Sequence, residues 1–338
     1  MLHDPAFGQH DKSFGLIRPM RHSIRLQDLR WMTRRERRSR PRDCGMCKYD
    51  ILLTHNCVFQ PPVEALQLAN EHRVPGVFMP HIHLDDDFYH FPDVMQAIGQ
   101  ASISLVSPRA AVDFLQRTVS PRVRYFGAGA DPYEFDDRRA MQDLAAFRER
   151  LADDGTPLIL VLGRKARAKN YAMTLEAQRL LAARGIATRV VMIGSDDDRA
   201  PVDGLDVVYL GLQPREVVRG ALRAARVLVN MSASESFGIV LLEAWLAGTP
   251  VIANHHCIAF GDLVEDGVNG FLVDNVNDVA ERVAALLTTP VLGMAMAECG
   301  REVAIGYTWS KPADELDALC TQLAGSRYSE PQSSSARS

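Results

Sequence analysis

Two glutamates flank a segment whose residue types suit the binding of a polar ligand. Glu235 follows a predicted strand, and a carboxylate at the carboxyl end of a strand is well placed to accept hydrogen bonds from sugar hydroxyls. Glu243 lies in the otherwise apolar stretch 239–247. Because an unpaired buried charge is costly, Glu243 needs a partner. A ribose diol would serve, and so would an arginine or a backbone group within the core.

A basic loop directly follows the predicted strand 158–162. Arg164 and Lys169 lie in a segment that begins with Gly163. Because arginine forms paired hydrogen bonds and lysine supplies a point charge, the two together suit a diphosphate. The alternative interpretation is a basic loop on the protein surface.

The segment from Met231 to Ile239 joins a predicted strand to a predicted helix. The first N–H groups of a helix lack partners and carry partial positive charge, so this helix start is suited to an anion. Gly238 would let a phosphate approach the backbone closely. Ser234 and Ser236 have a simpler interpretation, as residues that cap the helix.

Short apolar runs alternate with amphipathic helical patterns over most of the chain. This alternation predicts βαβ units and parallel sheets with helices on both faces. Two such series, joined near residue 150, predict an α/β protein with two doubly wound domains, whose ligands bind beyond the carboxyl ends of the strands. The predicted strands are 50–53, 76–79, 103–106, 123–126, 158–162, 188–193, 207–210, 227–230, 250–253 and 270–273. The predicted helices are 63–72, 93–101, 110–116, 171–183, 215–225, 238–247 and 276–287.

The chain divides into five predicted segments. Residues 1–48 are basic, are broken by prolines and have no clear period, which is typical of irregular chain. The other four are a first Rossmann-like domain at 49–150, a second at 151–305, a closing helix at 306–326 and a disordered, serine-rich tail at 327–338.

The composition of the 338-residue chain is typical of a globular protein, with 47% hydrophobic and 24% charged residues. A net charge of −4 gives no support for a nucleic-acid partner. No apolar run reaches the roughly 18 residues that span a bilayer, and residues 1–20 lack the apolar core of a signal peptide. The sequence therefore predicts a cytoplasmic protein.

An arginine-rich run at 34–42 departs from this even charge distribution. Such a run is typical of solvated or disordered chain. Its functional interpretation is peripheral contact with the headgroups of an anionic membrane, or with an acidic polymer.

Three features raise the question of a metal site. Cys44 and Cys47 have the spacing of one cysteine pair of a zinc site, but no second pair follows at a suitable spacing, so the sequence does not favour a metal role for them. The acidic loop 85–87 is typical of solvated chain. His81 and His83 follow a predicted strand at alternate positions, as structural histidines or as metal ligands.

The segment from Glu235 to Glu243 resembles the Glu-x7-Glu signature of the retaining glycosyltransferases of family 4, also called group 1. The loop from Gly163 to Lys169 resembles their diphosphate-binding loop, with the same spacing from arginine to lysine. The resemblance runs from about residue 157 to 323 and implies the two-domain GT-B fold. Further segments that resemble the family are 248–253, 261–273 and 307–310.

The resemblance implies a role for each candidate residue. Arg164 and Lys169 would neutralise the diphosphate of a nucleoside diphosphate sugar. Glu235 would hold the transferred sugar, and Glu243 would bind the ribose. His81, or as second choice His83, would lie beside the donor sugar, and no metal cofactor is implied. The other donor-binding residues that it implies are Gly163, Leu212 near the base, Ser236, Phe237, Gly238 and Ile239.

The first domain departs from the pattern of this family. The family's opening βα unit, with its Gly-rich loop, has no counterpart before Tyr49, so the N-terminal domain is expected to be shortened or atypical at its start. The leading hypothesis is transfer of a sugar from a nucleoside diphosphate sugar to a hydroxyl acceptor, with retention of anomeric configuration. The alternatives are a non-catalytic paralogue that binds nucleotide sugar and a nucleotide-sugar epimerase.

Overall fold

A computed structural model describes residues 49–151 and 154–329 of the chain. The chain forms two compact units. Of the described residues, the first unit contains 49–127 and 312–329, and the second contains 128–151 and 154–311. Each unit has its own sheet and its own core.

The first unit is built on a parallel sheet of four strands that lie side by side in chain order. Two of its helices begin with proline in the first turn, where the missing N–H costs nothing. The strands are β1 (Leu52–His55), β2 (Gly76–Met79), β3 (Ile103–Val106) and β4 (Val123–Tyr125). The helices between them are α1 (Gln60–Glu71), α2 (Pro92–Gln100) and α3 (Arg109–Thr118).

The second unit is built on a parallel sheet of six strands. Its strands are β5 (Leu158–Leu162), β6 (Arg189–Ile193), β7 (Val207–Tyr209), β8 (Val227–Asn230), β9 (Val251–Asn254) and β10 (Phe271–Val273). Its helices are α4 (Asp137–Leu151), α5 (Tyr171–Ala183), α6 (Arg215–Ala224), α7 (Ile239–Leu246), α8 (Val276–Thr288) and α9 (Pro290–Ile305).

Helices cover both faces of the six-stranded sheet, which explains why its central strands are almost wholly apolar. Side chains of a strand alternate between faces. Leu158 and Leu160 of β5 therefore pack in one cluster with α6 and α7, while Ile159 packs in the opposite cluster with α5 and α8.

The order of the strands across this sheet is β10-β9-β8-β5-β6-β7. From β5 the chain moves outward through β6 and β7, returns to the other side of β5 at β8, and moves outward again through β9 and β10. The direction of winding thus reverses between the neighbours β5 and β8. In doubly wound sheets ligands bind at such a reversal, beyond the carboxyl ends of the strands.

A last helix, α10 (Ser310–Ser329), covers a face of the four-stranded sheet in the first unit. Val77, Ile103 and Leu105 on that face are 0–6% exposed, and Leu316, Leu319, Cys320 and Leu323 of the helix pack against them. The opposite face packs against α1, α2 and α3. The predicted closing helix at 306–326 thus overlaps a helix that covers one face of the sheet in the first unit.

The division between the units lies at Gly127, which corrects the boundary near residue 150 that the sequence pattern predicts. The reason is α4, which packs against α6 of the second unit. Phe147 is buried in that contact, and the Arg219 guanidinium lies 2.7 Å from the Asp143 carboxylate. The helix is polar over much of its length, so no clear apolar stripe marks it in the sequence.

Among the described residues, no single helix is long and apolar enough to cross a membrane. One bent pair, Val276–Thr288 with Pro290–Gly325, passes the same test by length and composition, with a bend of 105° at the break.

Candidate functional site

Glycines end three neighbouring strands of the second unit and let their loops approach closely. Gly163, Gly194 and Gly211 follow β5, β6 and β7, and all three have positive φ angles, of 139°, 152° and 68°. A Cβ atom on Gly194 would lie 1.7 Å from the carbonyl oxygen of Gly163, so no larger residue fits there. The loop that carries the predicted diphosphate-binding cations therefore lies directly against the loop after β6.

Lys169 and Glu235 form an ion pair at the reversal between β5 and β8. The Lys169 ammonium donates to Oε1 of Glu235, and the two side chains are 20% and 17% exposed. A backbone hydrogen bond of 3.0 Å from Ala233 N–H to Ala168 O joins the same two loops. The structure thus brings together a cation and a carboxylate that are 66 residues apart in the sequence.

Arg164 is an exposed cation of this loop, with 63% of its side chain accessible. Its guanidinium donates to Oδ2 of Asp197 at 2.7 Å. Oδ1 of the same carboxylate accepts a hydrogen bond from the Ser195 hydroxyl, also at 2.7 Å. Asp197 therefore holds the guanidinium beside the loop after β6 and leaves its other N–H groups available to a ligand.

Lys165, between these positions, is a buried cation that the sequence analysis does not single out. It is 2% exposed, and its ammonium donates to Asp196 Oδ1 at 2.7 Å, Asp198 Oδ1 at 2.5 Å and the Ala200 carbonyl at 2.7 Å. Burial alone would lower the pKa of Lys165, but the hydrogen bonds to the two carboxylates raise it above its usual range. The acidic run 196–198 at the end of the next strand is the sequence signal for this partner set.

Glu243 in α7 has a side chain that is 12% exposed, and it is bonded to an arginine, one of the partners that its apolar surroundings predict. The Arg215 guanidinium donates to Oε1 of Glu243 at 2.8 Å and also pairs with Glu134. Among the described residues, Oε2 of Glu243 accepts no hydrogen bond, so this oxygen remains available to a ligand hydroxyl. Burial raises the pKa of Glu243 above its ordinary value of 4.5, Arg215 opposes the rise, and Glu134 adds to it.

Helix α7 begins at Gly238, without a serine cap. Gly238 has a φ of 106°, and no side chain caps the helix, which corrects the simpler interpretation of Ser234 and Ser236. Phe237 is 5% exposed and packs edge-on against Tyr307. Its buried ring anchors the turn that leads into the first N–H groups of the helix.

Leu212 is the exposed apolar residue of this region. It follows Gly211 in the loop after β7, and 75% of its surface is accessible. A large apolar side chain left in solvent at the carboxyl end of a sheet suits contact with a flat apolar group, such as a nucleobase. Its assignment to the base remains a prediction.

Comparison with known proteins finds a family model that matches most of the second unit. Residues 156–289 match the family model described as "Glycosyl transferases group 1". The match covers the loops that carry Arg164, Lys169 and Glu235, together with Glu243 in α7.

Curated relatives of the chain carry glycosyltransferase names. The chain is 26% identical over 239 residues to alpha-D-kanosaminyltransferase of Streptomyces kanamyceticus, which covers 66% of this chain and 61% of that protein. It is 42% identical over 128 residues to D-inositol 3-phosphate glycosyltransferase of Kribbella flavida, which covers 36% of this chain and 28% of that protein. The chain thus spans less than two thirds of the length of these relatives.

Solved structures confirm the predicted GT-B fold class. Anabaena Alr3699/HepE in complex with UDP-glucose superposes with a TM-score of 0.69 at 18% identity, over 82% of this chain and 80% of that one. Sucrose-phosphate synthase from Thermosynechococcus elongatus superposes with a TM-score of 0.68 at 22% identity, over 82% and 75% of the two chains.

The predicted histidines of the site lie in the other unit, after β2. His81 has a φ of 50°, and its ring meets His55 edge-on at 5.8 Å. Burial and then the neighbouring His55 lower the pKa of His81. His83 stacks on Tyr89, with ring centroids 4.6 Å apart. Their assignment to the donor sugar remains a prediction.

In the part of the chain that the structure describes, no group of three or more His, Cys, Asp or Glu side chains is arranged to hold a metal ion. This includes His81 and His83 and the acidic loop 85–87. The cysteine pair Cys44 and Cys47, the arginine-rich run 34–42 and most of the predicted tail lie outside the described residues.

Proposed function

We propose that this chain transfers a sugar from a nucleoside diphosphate sugar to a hydroxyl acceptor. The observation that carries the proposal is the meeting of Lys169 and Glu235 at the reversal of strand order. A cation for the diphosphate and a carboxylate for sugar hydroxyls lie side by side there, where doubly wound sheets bind ligands. The group 1 match and the names of the relatives support the same reaction.

The leaving diphosphate is stabilised by fixed positive charge. Arg164 and Lys169 neutralise the negative charge that develops on its oxygens, and the N–H groups at the start of α7, from Phe237 to Ile239, donate to them. Glu235 turns from Lys169 to the hydroxyls of the transferred sugar. Oε2 of Glu243 accepts from the ribose, while Arg215 keeps Oε1 in place.

The remaining parts of the proposal come from the family resemblance. The anomeric configuration is retained, and the leaving phosphate aids deprotonation of the acceptor hydroxyl on the same face of the sugar. His81 of the first unit, or as second choice His83, contacts the donor sugar. Gly163, Leu212 and Ser236 also contact the donor. No metal cofactor takes part.

The double variant Arg164→Ala/Lys169→Ala tests the proposal. A panel of nucleoside diphosphates is first screened by thermal shift, because a ligand that binds the native state raises its melting temperature. The double variant loses two charge-assisted hydrogen bonds, at about 1.5 kcal/mol each. Its affinity for the nucleoside diphosphate that binds most tightly should therefore fall by roughly a hundredfold, and its turnover should fall at least as much.

The matched control is Arg167→Ala, since Arg167 is an exposed cation of the same loop. It should bind the diphosphate as the unmodified chain does. Unchanged turnover in the double variant with intact donor would contradict the assignment. Donor binding without transfer to any acceptor would instead indicate a non-catalytic binding protein, and conversion of the donor alone would indicate an epimerase.

A further inference from the structure

Lys165 joins the loop after β5 to the loop after β6 through both its backbone and its side chain. Its N–H donates to the Ser195 carbonyl at 2.7 Å, and its carbonyl accepts from the N–H groups of Asp197 at 3.0 Å and Asp198 at 3.2 Å. The ammonium adds the hydrogen bonds to Asp196, Asp198 and the Ala200 carbonyl. All three ammonium protons therefore have acceptors on a single neighbouring loop.

The carboxylates around this ammonium are themselves held in place. Oδ1 of Asp196 accepts from the Arg199 N–H at 2.9 Å. Oδ1 of Asp198 also accepts from the Ala200 N–H at 3.1 Å, and its Oδ2 accepts from the Tyr171 hydroxyl at 3.0 Å. A network in which every charged group is satisfied fixes one arrangement of the loops.

Stability alone does not account for a charge at this position. Burying an ammonium and its partner carboxylates costs several kcal/mol of desolvation, and an apolar side chain of similar volume is often as stable or more so. The ion network instead fixes a conformation, because an ammonium with three fixed acceptors allows only one placement of the acidic run 196–198.

The placement of this acidic run determines the position of Arg164, the cation proposed to bind the ligand. Asp197, which holds the Arg164 guanidinium at 2.7 Å, lies between the two carboxylates that Lys165 binds. Arg164 is also the chain neighbour of Lys165. Both the backbone and the carboxylate that orient this guanidinium are therefore fixed by one buried side chain.

We propose that Lys165 is a positioning residue, which sets the Arg164 guanidinium for the diphosphate by fixing the run 196–198 against the loop after β5. The proposal rests on the proposed donor site, since it gives Arg164 its ligand. Lys165 itself touches no ligand and acts through its neighbour.

The test compares Lys165→Met with the unmodified chain in binding to UDP and to inorganic pyrophosphate, a probe that has no base. The variant should bind both about tenfold more weakly, the effect of misplacing one charge-assisted hydrogen bond. In an Arg164→Ala background, the same substitution should cause no further loss. A role confined to stability would not depend on Arg164 in this way.

Two controls separate positioning from folding. Lys311→Met removes an exposed lysine and should leave binding unchanged. Val283→Ala removes two buried methyl groups from the core of the second unit, and should lower the melting temperature without weakening the binding of UDP. If Lys165→Met does not fold, Asp198→Asn gives the same comparison, because it removes one partner charge with little change of shape.

Equal UDP binding by Lys165→Met and the unmodified chain would overturn the inference, and so would equal losses in the presence and absence of Arg164. Failure of the unmodified chain to bind either probe would overturn the proposed function, and this inference with it.

Discussion

Glu243 shows how a single residue can be constrained by the fold and still be available to a ligand. The side chain is 12% exposed in an apolar helix, and Arg215 and Glu134 complete a short chain of charges around it. One oxygen is engaged by Arg215, and the other accepts no hydrogen bond from the described residues. Such half-satisfied carboxylates are sensitive to pH, since burial disfavours the charged form.

Glu243→Gln should change how stability depends on pH. Because the pKa of Glu243 is raised in the folded protein, the folded state binds more protons than the unfolded state above pH 4.5. The stability of the unmodified chain should therefore fall, relative to the variant, as pH rises from 4.5 through the raised folded pKa. Melting temperatures of both proteins across this range measure the difference.

The matched control for this prediction is Glu216→Gln, on the exposed surface of α6. That carboxylate lies in solvent, so its removal should reproduce the pH profile of the unmodified chain. A constant offset between Glu243→Gln and the unmodified chain at every pH would show that the folded protein leaves the Glu243 carboxyl undisturbed.

At the scale of residues, the sequence shows that a buried charge needs a partner but does not show which residue that partner is. The apolar run 239–247 shows that Glu243 must be paired, but Arg215 lies in another helix and meets it only through the crossover from β7 to β8. Lys165 escapes prediction for a related reason. A lysine in a basic loop looks exposed, and only the register of β5 beside β6 brings the acidic run 196–198 onto it.

At the scale of elements, glycines at the carboxyl ends of strands decide how closely two loops can lie. Gly194→Ala should be strongly destabilising and should weaken UDP binding, because its Cβ would meet the Gly163 carbonyl at 1.7 Å and push the loop of Arg164 outward. Thermal unfolding and UDP titration measure the two effects.

Gly185→Ala is the control for backbone strain. Gly185 ends α5 with a φ of 76°, and no atom lies within 4 Å of an added Cβ, so the substitution carries the cost of the left-handed conformation alone. That cost is about 1–2 kcal/mol. The Gly194 prediction fails if both variants melt at the same temperature and bind UDP equally.

The strands were predictable because burial on both faces makes them continuous apolar runs. The predicted strands 76–79, 103–106 and 158–162 coincide with β2, β3 and β5. Two helices were missed, α4 and α9. Helix α4 is too polar for a clear stripe, and α9 directly follows α8 with little to separate the two patterns. Missing α4 is what misplaced the boundary between the domains.

At the scale of the whole molecule, the end of the chain completes the first unit. Leu319→Asp should destabilise that unit, because the charge would face the layer of Val77, Ile103 and Leu105 beneath α10. Hydrogen exchange in β2 and β3 should increase, while UDP binding at the loops of the second unit persists.

Ala318→Asp provides the control, since Ala318 is the preceding residue and lies on the exposed side of α10. It introduces the same charge into the same helix and should leave exchange in β2 and β3 unchanged. Equal exchange in the two variants would mean that the packing of α10 does not protect this sheet.

The ion pair between Lys169 and Glu235 has a consequence for the selection of ligands. A free diphosphate that takes Lys169 leaves the Glu235 carboxylate with no cation, whereas a nucleotide sugar takes the lysine and offers the carboxylate hydroxyls in return. Entry of the ligand is therefore an exchange of partners, and a ligand with both groups completes the exchange. With the proposed donor site, we expect this exchange to favour a sugar-bearing nucleotide over the free diphosphate, and we expect the return of Glu235 to Lys169 to help the diphosphate leave.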